Sequence, residues 1–248
     1  RIKSRVNLLN AESSEIGEAT GRPNADAPEQ VGLPTFACLC VTFVRPQQLA
    51  NVIACFERFS YPETKRELII LDDMGQYPTE PSGRNWSIIS VKRRFATLGE
   101  KRNALAAMTG SAIDAFAIMD DDDAYCSWTL DAHAWALSQG TAVSMPSWVF
   151  NEVRSGSLEF HWARGLFHAA WAIDRDAFRA VGGYPALNNG EDQKLGGRLT
   201  RAGYKSSNPI DWWPPYFIHR WGTSGSVHLS AMGGDGYDRM LNQAKGMR

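Results

Sequence analysis

Cysteine is scarce: Cys38, Cys40, Cys55 and Cys126 are the only four in 248 residues. They are too sparse for a disulfide framework, and Cys38 and Cys40, alternating along an apolar run, suit buried thiols better than a zinc knuckle. Long apolar runs are also absent, so no membrane span is expected, and no secretory leader is visible. Neither sign of charge dominates. The 26 Lys and Arg against 27 Asp and Glu give a net charge of −1. With charge so balanced, no basic surface argues for nucleic acid and no acidic tail suggests a solvating segment. No internal repeat is present. The chain opens on Arg1 rather than Met, so a fragment of a longer protein is expected.

What is present is a run of short buried strands separated by helices. The most telling stretch is Ala115-Phe116-Ala117-Ile118-Met119, an apolar run that ends in Asp120, Asp121, Asp122 and Asp123. The run reads as a buried strand. Four adjacent carboxylates repel one another, and burying them unpaired is costly. A hard divalent cation such as Mg²⁺ or Mn²⁺ removes the conflict, because it takes one or two carboxylates plus substrate phosphates. The plainer reading is a solvated acidic turn. Against it, ligands gather at the carboxyl ends of strands in alternating α/β chains.

The surrounding pattern supports that fold class. Residues 1–33 are polar with little apolar periodicity and read as an arm outside the core. A first strand is expected at 36–44, and Pro46 opens a helix whose Leu49, Val52, Ile53 and Phe56 recur at helical spacing. A second strand, 67–71, ends in Asp72 and Asp73, and a third spans 86–91. Thr97 and Glu100 have the spacing of a capping box, opening a helix to about Met108. Ser127 is the expected cap of the next helix, and 141–145 a fifth strand. Short strands follow at 149–150, 158–162 and 167–173. Asp174 caps a short helix that stops at Gly182 and Gly183, and Glu191 and Asp192 open another that closes at Gly203. This order predicts a mostly parallel, doubly wound sheet with helices on both faces.

Each candidate site residue has two readings. Asp72 and Asp73 either form a turn or recognise a ribose or base at a strand end. Lys101 and Arg102 oppose the helix dipole, so they are either plain surface charges or a phosphate site. Asp192 shares a helix face with Leu195 and Leu199, so it points inward as a general base, unless it or Glu191 is a cap. His219 and His228 lack the spacing of a ligand pair. Trp212, Trp213 and Trp221 either pack or form a sugar-stacking wall.

Taken in order, Cys40-Val-Thr-Phe-Val-Arg-Pro46, Asp72-Asp73, Lys101-Arg102-Asn103, Met119-Asp-Asp-Asp-Asp123, Gly182-Gly-Tyr184 and Gly190-Glu-Asp192 resemble the signals of family 2 glycosyltransferases. The resemblance covers about residues 35–205. It implies an α/β fold with a single Rossmann-like nucleotide-sugar transferase domain over 34–248. Residues 34–123 would form the nucleotide-binding half, 124–205 the acceptor and catalytic half, and 206–248 an irregular lid or acceptor loop. It further implies inverting, non-processive transfer with Mn²⁺ or Mg²⁺ as cofactor, a nucleotide-diphosphate donor (a UDP-sugar first) and a carbohydrate or other hydroxyl-bearing acceptor. Asp120 and Asp122 would be the D-x-D pair, with Asp122 on the metal and His219 or His228 completing its shell. Asp72 or Asp73 would contact uracil or ribose and Arg102 the base or diphosphate, with Lys101, Asp121 and Glu191 also on the donor side. Asp192 would be the base. Two departures stand out: Val44 occupies a position where many relatives carry Asn, and the Gln/Arg-x-x-Arg-Trp signature and membrane helices of processive synthases are missing. The cytoplasm is the expected location, with peripheral attachment to the inner membrane as a variant.

Two other classes compete. A metal-dependent nucleotidyltransferase or phosphohydrolase would share the carboxylates but lacks its Gly-rich phosphate loop here. A non-catalytic carbohydrate-binding module would need no base.

Overall fold

The computed structural model describes residues 32–152, 158–163 and 165–220. The expected arm, apart from its last two residues, and both Trp221 and His228 lie outside them.

Apolar runs become the strands of an eight-stranded sheet: β1 (Phe36–Thr42), β2 (Arg66–Asp72), β3 (Ser82–Gly83), β4 (Trp86–Ser90), β5 (Ala115–Asp120), β7 (Val143–Ser144), β10 (Ala172–Asp174) and β11 (Ser206–Ser207). Their spatial order is β11-β7-β10-β5-β1-β2-β4-β3. The middle is parallel, β5 and β2 flanking β1 and β4 beyond β2, whereas β10 runs antiparallel between β5 and β7. The sheet is therefore mostly parallel, as expected from the alternating pattern.

Side chains alternate across it. Phe36, Cys38, Cys40, Leu68, Ile70, Ala117 and Met119 enter one core, covered by Leu49, Val52 and Phe56 of α1 (Pro46–Glu57) and Leu130 and Ala134 of α3 (Thr129–Ser138). Leu39, Leu71, Phe116 and Ile118 enter the other, covered by Leu105 of α2 (Leu98–Ala107), Phe178 of α4 (Arg175–Ala180), and Leu195 and Leu199 of α5 (Glu191–Arg201). Burial of Leu195 and Leu199 stabilises α5 by about 1.5–3 kcal/mol each. All four cysteines are buried.

A second, four-stranded sheet joins β6 (Ala124–Tyr125), β12 (Phe217–His219), β8 (Trp148–Glu152) and β9 (Leu158–Trp162). Sequence reasoning did not anticipate β12, because a three-residue strand gives little periodicity.

Three local expectations change. Strand β1 stops at Thr42, since Val44 adopts φ 56°, outside the extended region. Ser127 does not cap α3: its carbonyl accepts from Ser60, and α3 begins after Trp128 with no side-chain cap. The expected 167–173 strand is a 3-10 turn over His168–Ala170 followed by β10, because His168 turns inward to Tyr184 (Nε2 to Oη, 2.6 Å).

Candidate active site

Parallel register brings the site together. Thr42 pairs with Asp72, and Val41 with Asp120, so β1, β2 and β5 end level. Every carboxylate singled out on these strands therefore emerges at one edge, where α/β sheets bind ligands.

Asp72 and Asp73 are buried and fully engaged. Asp72 accepts from the backbone N–H of Met74 (3.0 Å) and Gln76 (2.7 Å) and from Ser90 Oγ (2.7 Å), which orders the loop after β2. Asp73 accepts from Lys101 Nζ (2.6 Å) and from Arg94. Lys101 also donates to the Thr42 carbonyl at 2.6 Å. It is thus a buried tie between α2, β1 and β2 rather than a surface charge. Burial lowers its pKa, against the pull of Asp73.

The capping box at Thr97 and Glu100 is complete and starts α2 as expected. Gly99 lets this helix end touch the loop before α5, because a Cβ there would lie 1.9 Å from the Pro185 carbonyl oxygen. From α2, three successive side chains reach three elements. Lys101 takes Asp73. Arg102 Nη2 donates to Asp120 Oδ1 (3.1 Å) and its Nε faces Glu191 Oε1 (3.6 Å). Asn103 accepts from the Tyr184 N–H (2.9 Å) and donates to the Tyr184 carbonyl (2.8 Å), holding the turn made by Gly182 and Gly183. Burial disfavours the Arg102 charge, but Asp120 and its neighbours more than offset that and raise its pKa.

The acidic run divides its partners. Asp121 accepts from Thr42 Oγ1 (2.7 Å) and from Arg45 Nη1 (2.8 Å), and the same Arg45 nitrogen donates to Asp122 Oδ2 (3.0 Å). Asp123 accepts from the Arg220 N–H at 3.1 Å. Burial raises Asp121 to about 6 in spite of Arg45, and burial plus Asp122 and Asp120 raises Asp123 well above the carboxylate range. Among the described residues, Asp120, Asp121 and Asp122 thus share the guanidinium groups of Arg102 and Arg45, Asp123 takes a backbone N–H, and Asp122 Oδ1 carries no hydrogen bond. Such oxygens suit a hard divalent cation. They are too few for a cage made by protein alone: among the described residues no three His, Cys, Asp or Glu are grouped to hold a metal ion.

His219 reaches the same edge. The β12–β6 register sets Phe217 opposite Tyr125 and Ile218 opposite Ala124, so His219 stands level with Asp123, and its Nδ1 lies 3.1 Å from Asn151 Oδ1. Trp212 packs against Trp135 of α3 (5.7 Å between rings) and Trp213 against the core.

Helix α5 opens on Gly190 in the left-handed region, with no side-chain cap. Glu191 is buried toward Arg102, and burial raises its pKa although Arg102 pulls the other way. Asp192, expected to point inward, is only half-buried; its Oδ1 accepts from the Gln193 N–H at 2.7 Å. Sequence reasoning missed Arg45, whose place beside Pro46 carries no sign of a partner far along the chain.

This is the fold of nucleotide-sugar glycosyltransferases. No sequence family and no curated protein matches the chain. Among solved structures it is similar to TarS 1–349 of S. aureus (TM-score 0.58, 12% identity, 75% of this chain and 60% of that one). The same protein in complex with UDP-GlcNAc gives a TM-score of 0.61 at 13% identity, over 82% of this chain and 64% of that one. The mannosyltransferase PcManGT from Pyrobaculum calidifontis, in complex with GDP-Man and Mn²⁺, gives 0.56 at 14% identity, over 88% and 65%. The chain thus spans less than two thirds of the length of these structures. Among the described residues no helix is long and apolar enough to cross a membrane.

Proposed function

We propose that this chain is an inverting, non-processive glycosyltransferase of the family 2 type, moving a sugar from a nucleoside-diphosphate donor to an acceptor hydroxyl. One observation carries the reading. The link from Asp120 through Arg102 to Glu191 joins the acidic run at the sheet edge to the start of α5, where Asp192 stays accessible. A donor diphosphate would lie along the acidic run, and the acceptor would approach from the Asp192 side.

Asp192 takes the acceptor proton as the new bond forms, the role of a general base. Arg102 holds Asp120 and Glu191 apart and oriented. Asp72, Asp73 and Lys101 act on the nucleotide through the loops they order. Asp122 and Asp120, with His219 or His228 completing the shell, would hold Mn²⁺ or Mg²⁺, which when bound supplies charge neutralisation on the leaving diphosphate. A single displacement on an α-linked donor gives a β-linked product. A UDP-sugar is the first donor to test, and the acceptor is a carbohydrate or another hydroxyl-bearing molecule.

The test is incubation with a panel of nucleotide sugars and Mn²⁺, following free nucleoside diphosphate and the anomeric configuration of the product. Diphosphate release with inversion is expected. Release of pyrophosphate or monophosphate would favour a nucleotidyltransferase or phosphohydrolase, and silence across the panel a binding module.

A further inference from the structure

Arg45 touches two members of the acidic run. It is 8% exposed, sits just before α1, and reaches Asp121 and Asp122 with a single nitrogen. The turn that delivers it is strained. Val44 has φ 56°, a conformation that costs a β-branched residue energy, and its N–H is held by Gln76 Oε1 at 2.9 Å. Gln76 is in turn fixed through its own N–H to Asp72. A strained residue persists where the surroundings over-determine it, and here three elements converge to place one guanidinium.

The consequence is electrostatic. Asp121 has both oxygens occupied, by Thr42 and Arg45. Asp122 has one oxygen on Arg45 and one without a described partner. A divalent ion arriving alone would meet a carboxylate whose charge is already shared with a guanidinium, and would find few other ligands. A diphosphate supplies the missing oxygens and negative charge.

We propose that Arg45 is the resident counter-cation of the acidic run, making uptake of a divalent ion depend on prior or simultaneous binding of a nucleoside diphosphate. This rests on the transferase reading for the identity of the diphosphate, but Arg45's effect on the bare ion does not. By linkage, whatever factor the diphosphate adds to ion affinity, the ion adds to diphosphate affinity.

The test is titration of Mn²⁺ by electron paramagnetic resonance, with and without UDP or GDP, on native protein, Arg45→Gln and Arg45→Lys, each checked for native near-ultraviolet dichroism. Arg45→Gln is expected to bind Mn²⁺ alone at least tenfold more tightly than native protein, and Arg45→Lys to lie between them. In native protein the nucleotide is expected to tighten Mn²⁺ at least tenfold, an arm that stands even where a variant does not fold. Unchanged or weaker Mn²⁺ affinity in folded Arg45→Gln would overturn the proposal, as would native protein binding Mn²⁺ equally well without nucleotide. Failure of any nucleotide to bind would remove the transferase reading while leaving the Arg45→Gln comparison decisive.

Discussion

Arg102 Nε and Glu191 Oε1 face each other at 3.6 Å across the gap between α2 and α5, and the opposite end of the same guanidinium holds Asp120 at 3.1 Å. One side chain thus fixes the spacing between the acidic run and the helix that carries Asp192. Removing it takes a cation away from both, and Glu191 is buried.

The first prediction follows from that spacing. Arg102→Met should destabilise the fold by about 3 kcal/mol, the scale for breaking a buried ion pair. Adding Glu191→Gln to it should recover part of the loss, because one orphaned charge is then gone. Urea unfolding of the two single variants and the double variant measures the coupling. Strict additivity would mean the two residues do not interact.

Gly99 gives a second. A methyl group there would lie 1.9 Å from a backbone oxygen that cannot swing aside, so α2 or the loop at Pro185 must shift. Gly99→Ala is expected to cost about 1–3 kcal/mol, as for overpacking elsewhere. Thermal unfolding reads this directly, and an unchanged midpoint would contradict the close approach.

Val44 gives a third, of opposite sign. Asn tolerates the left-handed region that Val44 is forced into at φ 56°. Val44→Asn should therefore raise stability by about 1 kcal/mol, as judged from the urea midpoint. A loss would show that packing of the valine methyls outweighs the backbone strain.

A fourth concerns acid. His133 lies buried against Ser144 Oγ at 2.8 Å, and burial pushes its pKa down to about 3. The unfolded chain binds that proton near pH 6.5, the folded chain only near 3. Between those values the unfolded state holds more protons, so stability rises with pH and is lost on acidification. At pH 5 this one group costs on the order of 2 kcal/mol relative to pH 7.5. His133→Gln should flatten the fall in unfolding free energy between pH 7 and pH 5, and an unaltered slope would assign it to other groups.

Much of this was legible in the chain itself. Apolar runs such as 115–119 stand out because a buried strand in a two-faced parallel sheet needs no polar alternation. Thr97 with Glu100, and Asp174, declared their helix starts because capping is a local interaction, and Asp174 Oδ1 does accept from the Ala177 N–H. What escaped were the long-range partners. Helical spacing from Leu195 and Leu199 admits either Glu191 or Asp192 on the inner face. Arg102 decides for Glu191, and no local pattern shows it. Lys101 stayed open between a surface charge and a phosphate site because its partners, Asp73 and the Thr42 carbonyl, meet it only once the sheet has formed. Strands at 149–150 and 158–162 were expected, but their assembly into a small sheet was hidden for the same reason: β12 pairs with β6 and β8, both distant in sequence.

The central claim, that Asp192 removes the acceptor proton at a site which holds the donor by other residues, is tested most directly with Asp192→Asn. Donor binding by calorimetry and transfer rate are measured on the same preparation. The account predicts donor affinity within a few-fold of native and transfer slower by roughly two to four decades, the range for losing a general base. Transfer at close to the native rate, with binding intact, would contradict it.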